Sequence, residues 1–230
     1  MAERVLVTGG AGFIGGHLVE ALLEAGHDVR VLDSLEPQTH GPDARPPSFL
    51  ADVDVHIGSV TDPGAVARAL DGVEVIFHEA AMVGVGQSMY DIAHYCESNT
   101  LGAAVLLQAV VDNRADIRKM VVASSMSVYG EGAYVDAGGS PRRGGRDRKH
   151  LEAGDWEVRD PQTDEALRPV PTTETKPLEP TSVYAITKRD HEELFLAIGQ
   201  SYQIPTVALR YFNTYGPRQA LSNPYTGVVA

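Results

Sequence analysis

Along the first 125 residues, short β-branched and aliphatic runs alternate with longer stretches of helical period, the pattern of βαβ units feeding a parallel sheet. Strands are predicted over 4–8, 29–32, 53–57, 73–77 and 119–123, and helices over 13–24, 63–70 and 92–113. Gly26 and Gly72 follow the first two helices, where a residue tolerant of left-handed backbone stops the last turn. A further helix over 182–202 precedes a strand over 206–209. The expected architecture is α/β, a doubly wound parallel sheet of Rossmann-like kind, in one domain spanning 1–230.

Between Gly130 and Pro180 the periodicity lapses into GGSPRRGGRDRKH, an acidic run and PVPTTETKPLEP. Proline, glycine and charge at this density predict a surface insertion over about 131–178, with a helical turn near 151–156. Arg142, Arg143, Arg146, Arg148 and Lys149 make it locally basic, which suits either a phosphate grip or a solvated loop.

Composition narrows the class. At 230 residues and 43% hydrophobic content the chain can bury a full core. Its 19 basic and 31 acidic residues leave a net charge of -12, which argues against nucleic acid or an anionic membrane as a partner. A single cysteine, Cys96, excludes an intrachain disulfide framework and a cysteine-cluster metal site. The opening MAERVLVTGG fits neither a signal peptide nor a membrane span, so the expected location is the cytoplasm and no metal is expected.

Two spacings carry chemistry. TGGAGFIG places Gly9, Gly12 and Gly15 three apart, directly after a strand and at the opening of a helix. Such a turn lets backbone approach a pyrophosphate, which then sits at the positive end of the helix. Asp33 closes the second strand, where a carboxylate accepts from both hydroxyls of an adenine ribose and repels a 2′-phosphate. NAD is therefore expected rather than NADP. In SVYAITK, Tyr184 and Lys188 lie one helical turn apart on one face. A phenol titrates near 10, and serving as a base near neutral pH requires lowering it by about three units, roughly 4 kcal/mol. An ammonium about 5 Å away at an effective dielectric of 20 supplies about 3.3 kcal/mol. An oxidised nicotinamide ring would supply the remainder. SSMSVYG brings Ser124, Ser125 and Ser127 to the carboxyl edge of the sheet, for substrate contact, proton sharing or local turn bonding. With no Gly-x-Ser-x-Gly elbow, no hydrolase nucleophile is read.

TGGAGFIG, HEAA at 78–81, SSMSVYG, YAITK and RYFNTYGPRQ occur in an order that resembles the extended short-chain dehydrogenase/reductase family, in particular its nucleotide-sugar epimerases and dehydratases. Within it, GVGQSMY, VVASSMSVYGEG and RQALSNPYTGV are similar to the dTDP-L-rhamnose 4-epimerases. The resemblance implies that Gly9, Gly12, Phe13, Ile14 and Gly15 hold the pyrophosphate of NAD and Asp33 its ribose. It implies that Val60, Ala80, Ala81, Met82 and Ser124 line the cofactor path, while Asn99 and Phe212 serve the nicotinamide side. Ser125, Tyr184 and Lys188 become the catalytic set, and Ser88, Ser125, Tyr184 and Asn213 the contacts to a nucleotide-sugar substrate. The implied reaction is 4-epimerisation of a dTDP- or UDP-hexose through a 4-keto sugar.

A reductase, a 4,6-dehydratase and a non-catalytic NAD sensor remain as alternatives. Where dehydratases follow the catalytic threonine with Asp-Glu, this chain has Met126 and Ser127, which weighs against elimination of water. Ser59 stands where the family often has an aspartate beside the adenine. A homodimer is expected through the 92–113 helix, with Leu101, Val105, Leu106 and Ala109 on one side, and the helix bearing Tyr184. The chain ends at NPYTGVVA while the enzymes it resembles continue, so the smaller C-terminal substrate domain is expected to be absent or only begun.

Overall fold

The computed structural model describes residues 2–113 and 117–219. The chain divides into two compact units, one built from 1–126 and 182–230 and the other from 127–181. The stretch 220–228 of the RQALSNPYTGV motif lies outside the described residues.

The first unit contains the strands β1 (Arg4–Thr8), β2 (Asp28–Asp33), β3 (Asp54–Ile57), β4 (Val75–His78), β5 (Lys119–Ser125) and β9 (Thr206–Tyr211). They form a six-stranded sheet in the order β3-β2-β1-β4-β5-β9, every neighbouring pair parallel. Its helices are α1 (Phe13–Glu24), α2 (Pro37–His40), α3 (Pro63–Leu70), α4 (Ile92–Tyr95), α5 (Gly102–Asn113) and α7 (Val183–Tyr202). Side chains of a strand alternate faces, and the two cores follow that period. Val5, Val7, Val29 and Val31 pack with Val19 of α1. Leu6, Leu32, Ile76, Met120 and Val122 pack on the other face with α3, α5 and Phe195 of α7. Burial on both faces explains why the strands read as near-continuous aliphatic runs. Strand order reverses at β1, whose neighbours β2 and β4 lie on opposite sides, and in open α/β sheets the crevice at such a reversal receives the ligand.

Two elements depart from their hydrophobic pattern. β5 continues through Ser124 and Ser125 because they pair with Arg210 and Tyr211 of β9, a ladder that compensates polar side chains at a strand end. The predicted 92–113 helix is broken: Cys96–Leu101 is π-helical between α4 and α5, with Asn99 buried inside it. A side chain drawn inward for hydrogen bonding gives such a bulge a cause. Leu101, Val105, Leu106 and Ala109 consequently do not share one outward face. Leu106 is wholly buried in the core and Leu101 is 49% exposed.

The unit formed by 127–181 is more regular than its composition predicts. It holds a three-stranded antiparallel sheet, β7 (Pro141–Arg142), β6 (Ala133–Val135) and β8 (Arg168–Val170), and its helical turn α6 falls at Arg148–Glu152 rather than 151–156. The basic cluster is engaged by neighbouring carboxylates: Arg142 with Asp136 and Asp160, Arg143 with Glu179, Arg146 with Glu131, Arg148 with Glu152 and Lys149 with Asp147. Its ends are tied together by Lys176 Nζ, which donates to the Tyr129 carbonyl at 2.9 Å, and by the Glu179 N–H, which donates to the Val128 carbonyl at 3.0 Å.

Beneath the carboxyl ends of β4 and β5 the core contains imidazoles. His78 stacks on Phe195 at 5.2 Å and lies 5.0 Å from His191, both distances between ring centroids. Burial pushes the His78 imidazole down to about 3, and the Lys188 ammonium acts in the same direction. Between pH 6.5 and about 3 the unfolded chain therefore takes up a proton that the native His78 refuses, so stability falls as pH falls through that window. The expected slope is up to about 1.4 kcal/mol per pH unit for one such group. Urea unfolding at pH 7, 6 and 5 should show this loss, and the non-titrating His78→Gln should lessen it, the share of the likewise depressed His191 remaining. An equal slope in the variant would contradict the assignment.

Candidate functional site

The glycine turn after β1 is shaped partly by the protein and partly for something else. Gly9 has φ +72, and a Cβ there would lie 2.7 Å from the Ala80 nitrogen. A Cβ on Gly15 would lie 2.2 Å from the Gly9 carbonyl oxygen. Packing of strand, turn and helix therefore requires both. Gly12 is different: its backbone is extended, and its nearest neighbour to an added Cβ is 3.3 Å away. Gly12 caps α1 with no side-chain hydrogen bond, and no acidic residue stands in the first turn. The first N–H groups of α1 and the positive end of its dipole are left for an anion approaching the backbone.

Gly9, Gly12, Phe13, Ile14 and Gly15 open onto a cavity of about 880 Å³, walled by the first unit. Asp33, Val60, Ala80, Ala81 and Met82 continue its lining, and Ser124, Ser125, Tyr184, Lys188, Phe212 and Asn213 complete it. Asp33 is held rigidly, its Oδ2 accepting from the Ala11 N–H at 2.9 Å and its Oδ1 from the Leu35 N–H at 2.8 Å. Leu35 adopts a left-handed backbone, φ 53, to deliver that donor. A carboxylate has about four lone-pair positions, so two stay available for hydroxyls. Ser59 also lines the cavity, its Oγ 2.8 Å from Thr61 Oγ1. Gly102 lets α5 press on Val60, whose Cγ2 would lie 2.6 Å from a Cβ at that position.

At the far end stand Ser125, Tyr184 and Lys188. Ser182 caps α7 by accepting from the Ala185 N–H at 3.1 Å, which starts the helix just ahead of Tyr184. The Tyr184 hydroxyl hydrogen-bonds with Ser125. Lys188 Nζ donates to the Ala123 carbonyl at 3.0 Å. Burial pushes the Tyr184 phenol above its ordinary value and the Ser125 bond draws it partly back. Burial likewise pushes the Lys188 ammonium down to about 8, with Glu79 pulling it up. The spacing alone assigns most of the lowering of the phenol to the lysine; in this structure desolvation prevails, so deprotonation needs further positive charge in the cavity.

Two expected contacts have other occupations. Ser88 is fully buried off the cavity wall: its hydroxyl donates to the Val85 carbonyl at 2.7 Å and accepts from the Tyr184 N–H at 3.0 Å. It fixes the first turn of α7. Asn99, also off the wall, accepts from the Met82 N–H at 2.7 Å and donates to the Met82 carbonyl at 3.1 Å and to Thr187 Oγ1 at 2.9 Å. It positions the Met82 loop against the helix that carries Tyr184. Ser124 touches the cavity while its hydroxyl donates to Glu192 at 2.9 Å, and Glu192 in turn pairs with Arg210.

Sequence reasoning did not single out Glu79 and Tyr211, which join in a 3.0 Å hydrogen bond on the cavity wall. The signal was present in HEAA, a carboxylate directly beyond a buried strand. Gln38 and Gln87 form reciprocal amide bonds of 2.9 and 2.8 Å, with the Tyr95 hydroxyl donating to Gln87 at 3.1 Å. Spaced far apart in the chain, that pair had no sequence signal.

Residues 5–147 match the NAD dependent epimerase/dehydratase family, and residues 166–229 match GDP-mannose 4,6 dehydratase. A dTDP-L-rhamnose 4-epimerase of Burkholderia thailandensis is 36% identical over 99% of this chain and 62% of its own length. A UDP-N-acetyl-alpha-D-glucosaminuronate decarboxylase of Bacillus cytotoxicus is 30% identical over 100% of this chain and 60% of its own. Among solved structures, the UDP-glucose 4-epimerase of Thermus thermophilus in complex with NAD is 33% identical, with TM-score 0.68 over 96% of this chain and 59% of that one. The chain thus spans about 60% of the length of the relatives it matches.

The glycines separate packing from binding. Gly15→Ala should destabilise the fold by about 2 kcal/mol or more, because backbone must shift. Gly12→Ala should leave stability within about 1 kcal/mol and weaken NAD binding about tenfold or more. Urea unfolding and calorimetric titration with NAD measure the two. Equal destabilisation by both variants, or unchanged affinity in Gly12→Ala, would contradict this division.

Proposed function

Because the chain belongs to the NAD dependent epimerase/dehydratase family, we propose that it binds NAD and serves the 4-epimerisation of a nucleotide sugar, a dTDP- or UDP-hexose. One observation carries the reading: a single cavity gathers the uncapped helix end at Gly12, the ribose-ready carboxylate of Asp33 and the Ser125–Tyr184–Lys188 set. These residues fit a dinucleotide laid from the turn after β1 toward the ends of β4 and β5. Gly12 and its neighbours take the pyrophosphate, and Asp33 the ribose hydroxyls.

When bound, NAD supplies a hydride acceptor that returns the hydride later, and a positive ring charge while oxidised. The rest falls to the chain. Tyr184 removes the proton of the sugar C4 hydroxyl as the C4–H bond breaks, leaving a 4-keto sugar. Ser125, bonded to the same phenol, holds the reacting oxygen in line. Lys188 holds positive charge beneath the phenolate. The proton returns from Tyr184 after the sugar presents its opposite face, and no net redox change remains.

Met126 and Ser127 after Ser125 offer no carboxylate pair for eliminating water, which favours inversion over dehydration. A homodimer belongs to the same reading, supported by half-exposed Leu101 and Ile186. A cytoplasmic location fits the single exposed Cys96.

Incubation with a panel of UDP-, dTDP- and GDP-sugars should give C4 inversion with catalytic NAD alone, followed by NMR of the sugar protons. Tyr184→Phe should lower turnover by about a thousandfold while NAD affinity is kept. Stoichiometric consumption of NADH would instead identify a reductase, and absence of inversion with every sugar would overturn the reading.

A further inference from the structure

Glu79 lies one residue beyond β4, and its carboxylate accepts from the hydroxyl of Tyr211, the last residue of β9. Between these strands runs β5, paired with both, and the β5 carbonyl of Ala123 holds the Lys188 ammonium. The Glu79–Tyr211 bond therefore spans the top of the strand that anchors the lysine, and all three side chains face one cavity. We propose that Glu79 is a positioning residue for hydride-transfer chemistry: fixed by Tyr211 over the strand whose Ala123 carbonyl anchors Lys188, its carboxylate is the counter-charge of the Lys188 ammonium. The proposal rests on the functional reading above.

The surroundings leave this role to Glu79. On α7 itself, Tyr184 is neutral and raised by burial, and His191 is kept neutral by burial and by the lysine. From β4, His78 is neutral for the same reasons. Glu192 is committed to Arg210 of β9 and to Ser124. Lys188 donates to a neutral carbonyl, which leaves its charge to be opposed by Glu79. Burial raises the Glu79 carboxyl, while Lys188 and the Tyr211 donor lower it. Each charge thus reduces the cost of the other. Without the carboxylate, burial alone would govern the lysine, and the ammonium needed beneath the phenolate would be lost at lower pH. A purely structural role, tying the ends of β4 and β9, would leave the lysine unaffected.

The chain holds four lysines, Lys119, Lys149, Lys176 and Lys188, so side-chain carbon NMR can follow each titration, with Lys188→Arg assigning the signal. Lys188 should titrate at about 8 in the unsubstituted protein. Glu79→Gln, which keeps an acceptor for Tyr211, should lower that midpoint by about one unit. Tyr211→Phe, which keeps the carboxylate but frees it, should lower it less. The alkaline limb of kcat/KM should move down in step, with the acid limb unmoved. An unchanged Lys188 midpoint in both variants overturns the proposal whatever the activity. A shifted midpoint in a chain that turns over no nucleotide sugar would overturn the functional reading while upholding the coupling of Glu79 to Lys188.

Discussion

An ammonium group only 2% exposed is costly to keep, and the arrangement around Lys188 is what the rest of the site depends on. The ammonium donates one hydrogen bond to the carbonyl of Ala123. The imidazoles of His78 and His191, pressed between the sheet and α7, add no competing charge because burial holds them neutral. The phenol of Tyr184 sits one helical turn away, itself desolvated and unwilling to ionise. In the proposed reaction, the charge of an oxidised cofactor is what releases the phenolate from such a site.

The fold supplies this arrangement through strand ends. Reversal of strand order at β1 opens a crevice, and the residues that follow β1, β2 and β4 fill its walls. α7 crosses β5 so that Tyr184 and Lys188 meet Ser125 and Ala123. Several buried polar residues hold those parts in register. Asn99 clamps the Met82 loop to Thr187, Ser88 fixes the first turn of α7, and Glu192 joins Ser124 to Arg210. Each stands behind the cavity chemistry and converts a packed core into a defined geometry.

Much of this was legible in the amino-acid order because period-2 and period-3.6 patterns are set by burial, and the strongly patterned elements are the buried ones. The glycine turn was legible for a steric reason, since Gly9 and Gly15 leave no room for a side chain. The misses follow from interactions that periodicity does not encode. The π-helical stretch depends on where the Asn99 amide bonds, and helical spacing alone reads as unbroken. Ser88 and Ser125 are both hydroxyls that the resemblance assigns to the substrate; only their partners tell a serine that fixes a helix from one bonded to the Tyr184 phenol. The strands between 133 and 170 are two or three residues long, too short to show alternation, and two of them contain proline. The basic run beside them leaves a phosphate grip and a solvated loop both open until its carboxylate partners are in place.

In the proposed reaction, cofactor charge completes the acidity of Tyr184. Its most direct measure is the ultraviolet titration of that phenol, taken as the difference between the unsubstituted protein and Tyr184→Phe, with NAD⁺ bound and again with NADH bound. The midpoint should be clearly lower in the oxidised complex than in the reduced one. Equal midpoints in the two states would contradict it.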